Sequence, residues 1–118
     1  MSTVAAIVVA LIGVLHVYIL VLEMFLWDKP AGLKAFGQTR ETAAVTKVLA
    51  ANQGLYNGFL AAGLFWGVWL GPAGDAVKVF FLLCVLVAGL YGAATAARKI
   101  LFIQAIPAAI GLALVALS

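Results

Sequence analysis

Residues 4–26 read VAAIVVALIGVLHVYILVLEMFL, and this run contains only two acidic or basic side chains, His16 and Glu23. An α-helix needs about 20 predominantly apolar residues to cross the hydrocarbon core of a bilayer. The apolar core of a signal peptide is shorter, at about 7–15 residues. We therefore expect a membrane-spanning helix that is retained in the mature protein.

The rest of the chain has the same apolar character. Of its 118 residues, 67% are hydrophobic and 9% are charged, whereas soluble domains carry about 25% charged residues. A chain this short cannot bury so much apolar surface by folding, so lipid is expected to cover the excess. The net charge of +3 comes from basic residues beside the apolar segments, which indicates membrane orientation rather than nucleic-acid binding. The single cysteine, Cys84, excludes a disulfide framework.

Three more apolar segments follow, and the four predicted helices cover residues 4–26, 45–70, 76–97 and 100–117. The apolar part of the second begins at Val48. Pro30 ends the first helix because proline cannot continue it, and Gly71 with Pro72 ends the second through a left-handed C-cap. The sequence predicts an all-α, integral membrane four-helix bundle that forms one transmembrane domain over residues 1–118.

Local signals define the third and fourth helices further. Asp75 is a residue type that favours the N-cap position, so we expect it to cap the third helix. The connection to the fourth helix is only about Arg98-Lys99, which predicts an antiparallel hairpin. Pro107 removes a backbone donor and crowds the carbonyl of Ile103, so we expect a kink in the fourth helix.

Basic residues are distributed unequally between the two sides of the predicted bundle. The first and third connections carry six of the seven, and only Lys78 falls on the other side; the six are Lys29, Lys34, Arg40, Lys47, Arg98 and Lys99. Cytoplasmic loops are enriched in lysine and arginine. We therefore predict a multi-pass protein of the bacterial inner membrane with both termini outside.

Small residues recur at i, i+4 spacing on two predicted helices: Ala50, Gly54, Gly58 and Ala62 on the second, and Ala88, Gly92 and Ala96 on the third. Lipid is as apolar as leucine, so helices associate in membranes through close backbone approach and hydrogen bonds. The stripes predict packing within the bundle or between subunits. Because four short helices enclose little space, we predict a homo-oligomer, either a dimer or a trimer.

The ionisable residues of the first helix are its most informative feature. His16 and Glu23 are seven residues apart, which places them on one helix face about 10 Å apart along the axis. Ionisable groups inside a membrane are costly and mark functional sites unless they are paired. Two other interpretations stay open: Glu23 reaches Lys29 or Arg98 at the interface, or His16 is a neutral imidazole that forms a hydrogen bond across the bundle.

Further polar residues share the depth of Glu23, about 4–12 Å from the cytoplasmic boundary at 1.5 Å per residue. The residues at this depth are Glu23, Asn52, Gln53, Tyr91, Thr95 and Gln104. The predicted ligand-binding residues are Glu23, His16, Asn52, Gln53, Asn57, Tyr56, Tyr91 and Gln104. An anion-holding rim is predicted at Lys47, Arg40, Arg98 and Lys99. The alternative is a dry hydrogen-bonded network that only specifies the bundle.

Motifs for known catalytic chemistry are missing from the sequence. There is no HExxH, no phosphate-binding glycine-rich loop and no nucleophile elbow, and a single histidine offers too few good ligands for a metal. We therefore predict no metal and no cofactor, and we assign no catalytic residue.

Two stretches, Leu15–Trp27 and Asn52–Gly58, resemble a family of small bacterial membrane proteins, the domain-of-unknown-function family numbered 1304. The likeness extends over nearly the whole chain, including the loop from Phe36-Gly37 to Glu41-Thr42. This resemblance implies a four-helix membrane protein and implies no activity.

The stretch KVLAANQ, residues 47–53, is similar to the second-helix signature of the membrane-associated eicosanoid and glutathione metabolism proteins. Those are trimers that bind glutathione and lipophilic substrates. The sequence departs from the signature, since Lys47 stands where that family has arginine, and Gly54 and Asn57 stand where it has asparagine and an acidic residue. The resemblance therefore supports the fold more than the activity.

These observations lead to three functional hypotheses. The first is a non-enzymatic membrane protein that binds or passes a small amphipathic molecule, with Glu23 and His16 as proton-responsive groups. The second is a glutathione-transferase-like membrane enzyme, in which the basic rim holds glutathione and Tyr91 or Tyr56 assists its thiolate. The third is a structural subunit of a larger membrane assembly.

Overall fold

The structure is a computed structural model that describes residues 2–118. Its five α-helices are α1 (Ser2–Met24), α2 (Pro30–Phe36), α3 (Arg40–Trp69), α4 (Asp75–Thr95) and α5 (Ile106–Ala116). A 3₁₀ turn at Gly71–Gly74 precedes α4, and a π-helical turn at Leu101–Ala105 precedes α5. Over the described range the chain contains no strand, which confirms the all-α class.

The number of helices differs from the prediction, because the first connection contains the extra helix α2. Pro30 occupies its first turn, where the missing N–H is not needed, and Gly37 ends it at φ 60° in the left-handed region. α3 begins at Arg40, before the predicted residue 45. The hydroxyl oxygen of Thr39 accepts a hydrogen bond from the backbone N–H of Thr42 at 3.2 Å, so a threonine cap starts the helix early.

The junction between α3 and α4 confirms one expectation and corrects another. Gly71 adopts φ 65°, which is the left-handed conformation predicted for the end of the second helix. The predicted N-cap role of Asp75 is wrong, because Gly74 occupies the N-cap position without a side-chain hydrogen bond. The carboxylate of Asp75 instead accepts a hydrogen bond from Lys78 Nζ at 3.1 Å.

The segment before Pro107 departs from α-helical geometry. The backbone N–H of Ile106 donates to the carbonyl of Leu101, five residues back, and Pro107 lies in the first turn of α5. A proline inside a helix crowds the carbonyl four residues before it, and a π turn is one way of relieving this conflict. The irregularity therefore occurs where the sequence predicted a kink.

The chain divides into two compact units, of which the first contains residues 2–14 and Leu60–Ser118. Its core consists of apolar side chains with little or no exposure: Ala5, Val9, Ile12, Leu64, Leu82, Val85, Ala108 and Val115. Within this unit α4 and the segment after it run antiparallel, since Gly92 approaches Ile100 while Gly89 approaches Ala105. The predicted hairpin is confirmed.

The face of α4 that packs in this hairpin agrees with the predicted stripe only at Gly92. A Cβ atom built on Gly89 would lie 2.6 Å from the backbone nitrogen of Ala105. Gly92 also faces the hairpin partner, but Ala88 and Ala96 are exposed. Because α4 carries apolar residues on all its faces, the spacing of small residues alone does not show which face packs against protein.

The second unit is Leu15–Phe59, and small residues of α3 pack there as predicted. A Cβ atom on Gly54 would lie 2.6 Å from Met24 Cγ, and one on Gly58 would lie 2.7 Å from Leu20 Cδ1. Ala50 is buried as well. These three positions of the predicted stripe let the backbone of α3 approach α1 closely within this unit, whereas Ala62 is exposed.

Two helical segments are long and apolar enough to cross a membrane, Ser2–Met24 and Gly71–Thr95. Leu101–Ala116 is apolar but shorter. α3 is 30 residues long, but it contains Asn52, Gln53 and Asn57 and is not among the segments apolar enough to span a membrane. Of the four predicted membrane spans, two therefore correspond to segments that are long and apolar enough to cross a membrane.

Candidate functional site

A carboxyl group and a carboxamide form the buried centre of the unit Leu15–Phe59. Asn57 Nδ2 donates a hydrogen bond to Glu23 Oε1 at 2.6 Å. Both residues are nearly inaccessible, with 7% and 6% of their surface exposed. The pair forms because Gly54 has no side chain: a Cβ atom there would lie 3.1 Å from Glu23 Cβ. The missing side chain of Gly54 thus allows the carboxyl group of Glu23 on α1 to reach the amide of Asn57, which lies about one turn after Gly54 on α3.

A cavity of about 280 Å³ adjoins this pair. Polar and apolar side chains line it together: Glu23, Trp27, Gln38, Thr46, Leu49, Ala50 and Gln53. Ligand pockets in proteins typically begin at about 300 Å³ and combine an apolar lining with a few polar groups. The cavity therefore has the size for a molecule somewhat smaller than a drug, and its lining suits an amphipathic one.

Trp27 and Gln38 bring groups from the ends of helices to the cavity. The indole N–H of Trp27 donates to Thr46 Oγ1 at 3.1 Å, and its ring centroid lies 4.8 Å from that of Phe36. These contacts fix the indole between α2 and α3. The side-chain nitrogen of Gln38 is buried without an acceptor in the part of the chain that the structure describes.

The predicted site residues of α3 separate into two groups. Asn57 holds Glu23 and Gln53 lines the cavity. Asn52 and Tyr56 are exposed, as Gln53 is, but they do not line the cavity, and Asn52 Nδ2 donates to the carbonyl of Val48 at 2.9 Å. The members of each pair are four residues apart, about one helical turn, so they project to the same side. The two pairs are offset by one residue, so they project to different sides.

The other predicted residues occupy varied environments. His16 is fully buried in the same unit as Glu23. Tyr91 is exposed and lines a shallow groove on α4 with Phe80, Leu83, Cys84, Val87 and Ala88. Gln104 is partly buried, and Arg98 and Lys99 are exposed in the unit that contains residues 60–118. No cluster of three or more histidine, cysteine or acidic residues suited to a metal occurs within residues 2–118.

The predicted rim contains one ion pair in the unit Leu15–Phe59. Lys47 Nζ lies 3.0 Å from Asp28 Oδ2, and both side chains are partly exposed. Arg40 is exposed at the start of α3. Exposed pairs of this kind contribute little to stability, so the pair orients Lys47 more than it stabilises the fold.

The hydrogen bond from Lys47 lowers the pKa of Asp28 below its ordinary value. The charged carboxylate is therefore favoured in the folded state, and the small stability it adds is present above its ordinary pKa and lost as the pH falls through the folded one. We expect Lys47→Met to raise the pKa of Asp28, measured by NMR titration of its carboxyl carbon. Lys29→Met is the matched control, since the charge of Lys29 has the smaller influence. An Asp28 titration that is unchanged in Lys47→Met would contradict the assignment.

Several residues of interest were not predicted. Lys78 is 5% exposed and donates to the carbonyl of Gly71 at 3.0 Å as well as to Asp75. Its position three residues after an aspartate in the first turn of α4 was the available signal. Trp27 and Gln38 reach the cavity from the loops on either side of α2, and Thr46 reaches it from α3. Nothing in the helical periodicity indicated this.

The fold and the site define a small, strongly apolar all-α protein. Its buried carboxyl group accepts a hydrogen bond from a carboxamide and lies beside a cavity lined by polar and apolar side chains. The chain belongs to the family described as protein of unknown function (DUF1304), whose sequence model matches residues 10–116. This confirms the family resemblance seen in the sequence. The matched range includes every residue that lines the cavity.

A similar protein is known from Lactococcus lactis subsp. lactis (strain IL1403), where it is described as an uncharacterized protein, YpaA. It is 30% identical over 118 residues, which cover 98% of this chain and 95% of that protein. No solved structure matches the chain. The comparisons therefore give a family without an assigned activity.

Proposed function

We propose that this protein spans the membrane and binds a small amphipathic molecule in the cavity beside Glu23. The observation that carries the proposal is the Glu23–Asn57 hydrogen bond at the edge of a cavity with mixed lining. A buried carboxyl group in an apolar protein is costly to maintain, and such groups usually serve a function. The described lining has no nucleophile paired with a base, so binding or passage suits it better than catalysis.

The distribution of apolar side chains supports membrane insertion. In the most apolar 18-residue windows of the two candidate segments, only 28% and 22% of the residues are buried. The core helix of a soluble protein would be mostly buried. The exposed side chains of α1 include Val4, Ile7, Leu11 and Val14, and a lipid environment would cover this surface. The inner-membrane location and the dimer or trimer stay predictions.

The topology follows from the basic residues of the first and third connections. A periplasmic reporter fused after Ser118 is expected to be active, and the same reporter inserted within residues 32–39 is expected to be silent. As a control, a fluorescent protein that is active only in the cytoplasm is fused at the same two positions, and it should give the opposite pattern. The opposite pattern of activities would contradict the orientation.

Filling the cavity tests the binding proposal. Ala50 is buried and lines the cavity, so Ala50→Leu is expected to weaken saturable binding of a small amphipathic probe by about tenfold or more, or 1.4 kcal/mol. Ala44→Leu is the matched control because Ala44 is exposed on the same helix. Suitable probes are 1-octanol, octylamine and 2-amino-1-octanol.

Trp27 provides the signal for this measurement. Trp66 and Trp69 are exposed, so the background Trp66→Phe/Trp69→Phe leaves Trp27, which lines the cavity, as the one indole of the chain. We expect the probes to change Trp27 fluorescence in a saturable way. Ala50→Leu should suppress this change, and Ala44→Leu should preserve it. If none of the three probes gives a saturable change, the binding function is wrong.

The glutathione-transferase-like alternative has less support from the structure. Lys47, the residue in the position of that family's arginine, is paired with Asp28 at 3.0 Å, and its charge is therefore partly neutralised. Tyr56 is exposed and away from the lining of the cavity.

A further inference from the structure

The carboxyl group at the cavity is held by an amide and not by a cation. Within Leu15–Phe59 the described ion pair joins Lys47 to Asp28, while Glu23 receives its hydrogen bond from Asn57 through Oε1. A buried carboxylate is stabilised by a cation with further hydrogen bonds, and a neutral amide supplies only part of this. The cavity beside Glu23 is the place from which a positively charged ligand group can supply the rest.

The indole of Trp27 favours the same kind of ligand group. Its N–H is already donated to Thr46, so the ring has no donor left for an anion or a carbonyl. What it adds to the lining of the cavity is aromatic surface. Cations bind to aromatic faces, and tryptophan gives the strongest interaction of this type. Glu23 and Trp27 together therefore select a cation over an anion.

Gln38 adds a second requirement. Its side-chain nitrogen is buried at the cavity without an acceptor among the described residues. Leaving a buried donor without a partner is unfavourable. An oxygen atom on the ligand would satisfy it, while Leu49 and Ala50 provide apolar surface for an alkyl portion.

We propose that the ligand is a lipophilic amino alcohol or a close analogue: an ammonium group held by Glu23 and Trp27, an oxygen acceptor held by Gln38, and an alkyl chain. The proposal rests on the binding function stated above and names its ligand class. A free amine and the aminoethyl headgroup of a phospholipid share this chemistry. The cavity of about 280 Å³ accommodates the polar end of either one.

The three probes in the Trp27-reporter background test the ligand class, because they differ in one group at a time. The expected order of affinity is 2-amino-1-octanol above octylamine, and octylamine above 1-octanol. Glu23→Gln should weaken the binding of both amines by about tenfold or more and leave 1-octanol unchanged. Gln38→Leu should remove the advantage of 2-amino-1-octanol over octylamine.

The outcomes separate this proposal from the binding function itself. If 1-octanol binds as tightly as the amines and Glu23→Gln changes none of them, the ligand class is wrong, although suppression by Ala50→Leu would still support an amphipathic site. If no probe binds, the binding function fails as well. Comparing nanodiscs of phosphatidylethanolamine with those of phosphatidylcholine identifies the source. If the natural ligand is a lipid headgroup, phosphatidylethanolamine should compete with 2-amino-1-octanol and weaken its apparent binding. Equal binding in the two lipids indicates a free amine.

Discussion

Gly89→Leu is expected to lower the free energy of unfolding by about 1–3 kcal/mol or more, the range for overpacking a well-packed site. Even one methyl group on Gly89 would approach the backbone nitrogen of Ala105 to 2.6 Å and Gln104 Cβ to 2.9 Å. The nearest atom belongs to backbone, so no side-chain rotation relieves the contact. α4 and the segment after it would have to separate, and close approach is what holds helices together in lipid.

Ala88→Leu is the matched control for this substitution. Ala88 is the neighbouring residue on α4 and is exposed, so the same side chain there should change stability little. Thermal unfolding in mild detergent measures both variants. Gly89→Ala gives a second reading should Gly89→Leu not fold, since alanine favours a helix by about 1 kcal/mol over glycine and only the contact opposes it. Equal stability of the leucine variants at 88 and 89 would contradict the packing.

The second large effect is expected at Asn57. Asn57→Leu removes the donor to Glu23 Oε1 and leaves a carboxyl group that is 7% exposed without its partner. An unsatisfied buried polar group costs about 1–3 kcal/mol, and a charged one costs more. The variant should therefore be less stable and should bind the amine probes with altered affinity. Asn52→Leu on the exposed face of the same helix is the control.

A double-mutant cycle shows whether the loss belongs to the pair. Glu23→Leu/Asn57→Leu removes both partners and should recover much of the stability lost in Asn57→Leu, because replacing both members by apolar groups is nearly neutral. Glu23→Gln should keep the fold, since its amide oxygen can still accept from Asn57. If the double variant loses as much free energy of unfolding as the two single variants together, the hydrogen bond does not couple these residues.

The candidate site was predicted in composition but not in arrangement. Glu23, Gln53 and Asn57 were identified from their polarity in apolar helices. In the structure Glu23 and Gln53 line the cavity, and Asn57 donates a hydrogen bond to Glu23. Helical spacing grouped Asn57 with Gln53 on one side and Asn52 with Tyr56 on the other. It did not show that Asn57 is buried while Gln53 is exposed, because both faces of α3 carry polar residues.

The sequence by itself determined the all-α class, the approximate positions of the long helices, the left-handed glycine at Gly71 and the family. Each of these depends on local properties: apolar length, breakers and backbone freedom. Only the tertiary structure decided the partner of Glu23, the packing of Gly89 instead of Ala88, and the contribution of Trp27, Gln38 and Thr46 to the cavity. In a chain this apolar the usual contrast between a buried and a solvated face is weak, so helix rotation depends on close contacts between backbones and on a few hydrogen bonds.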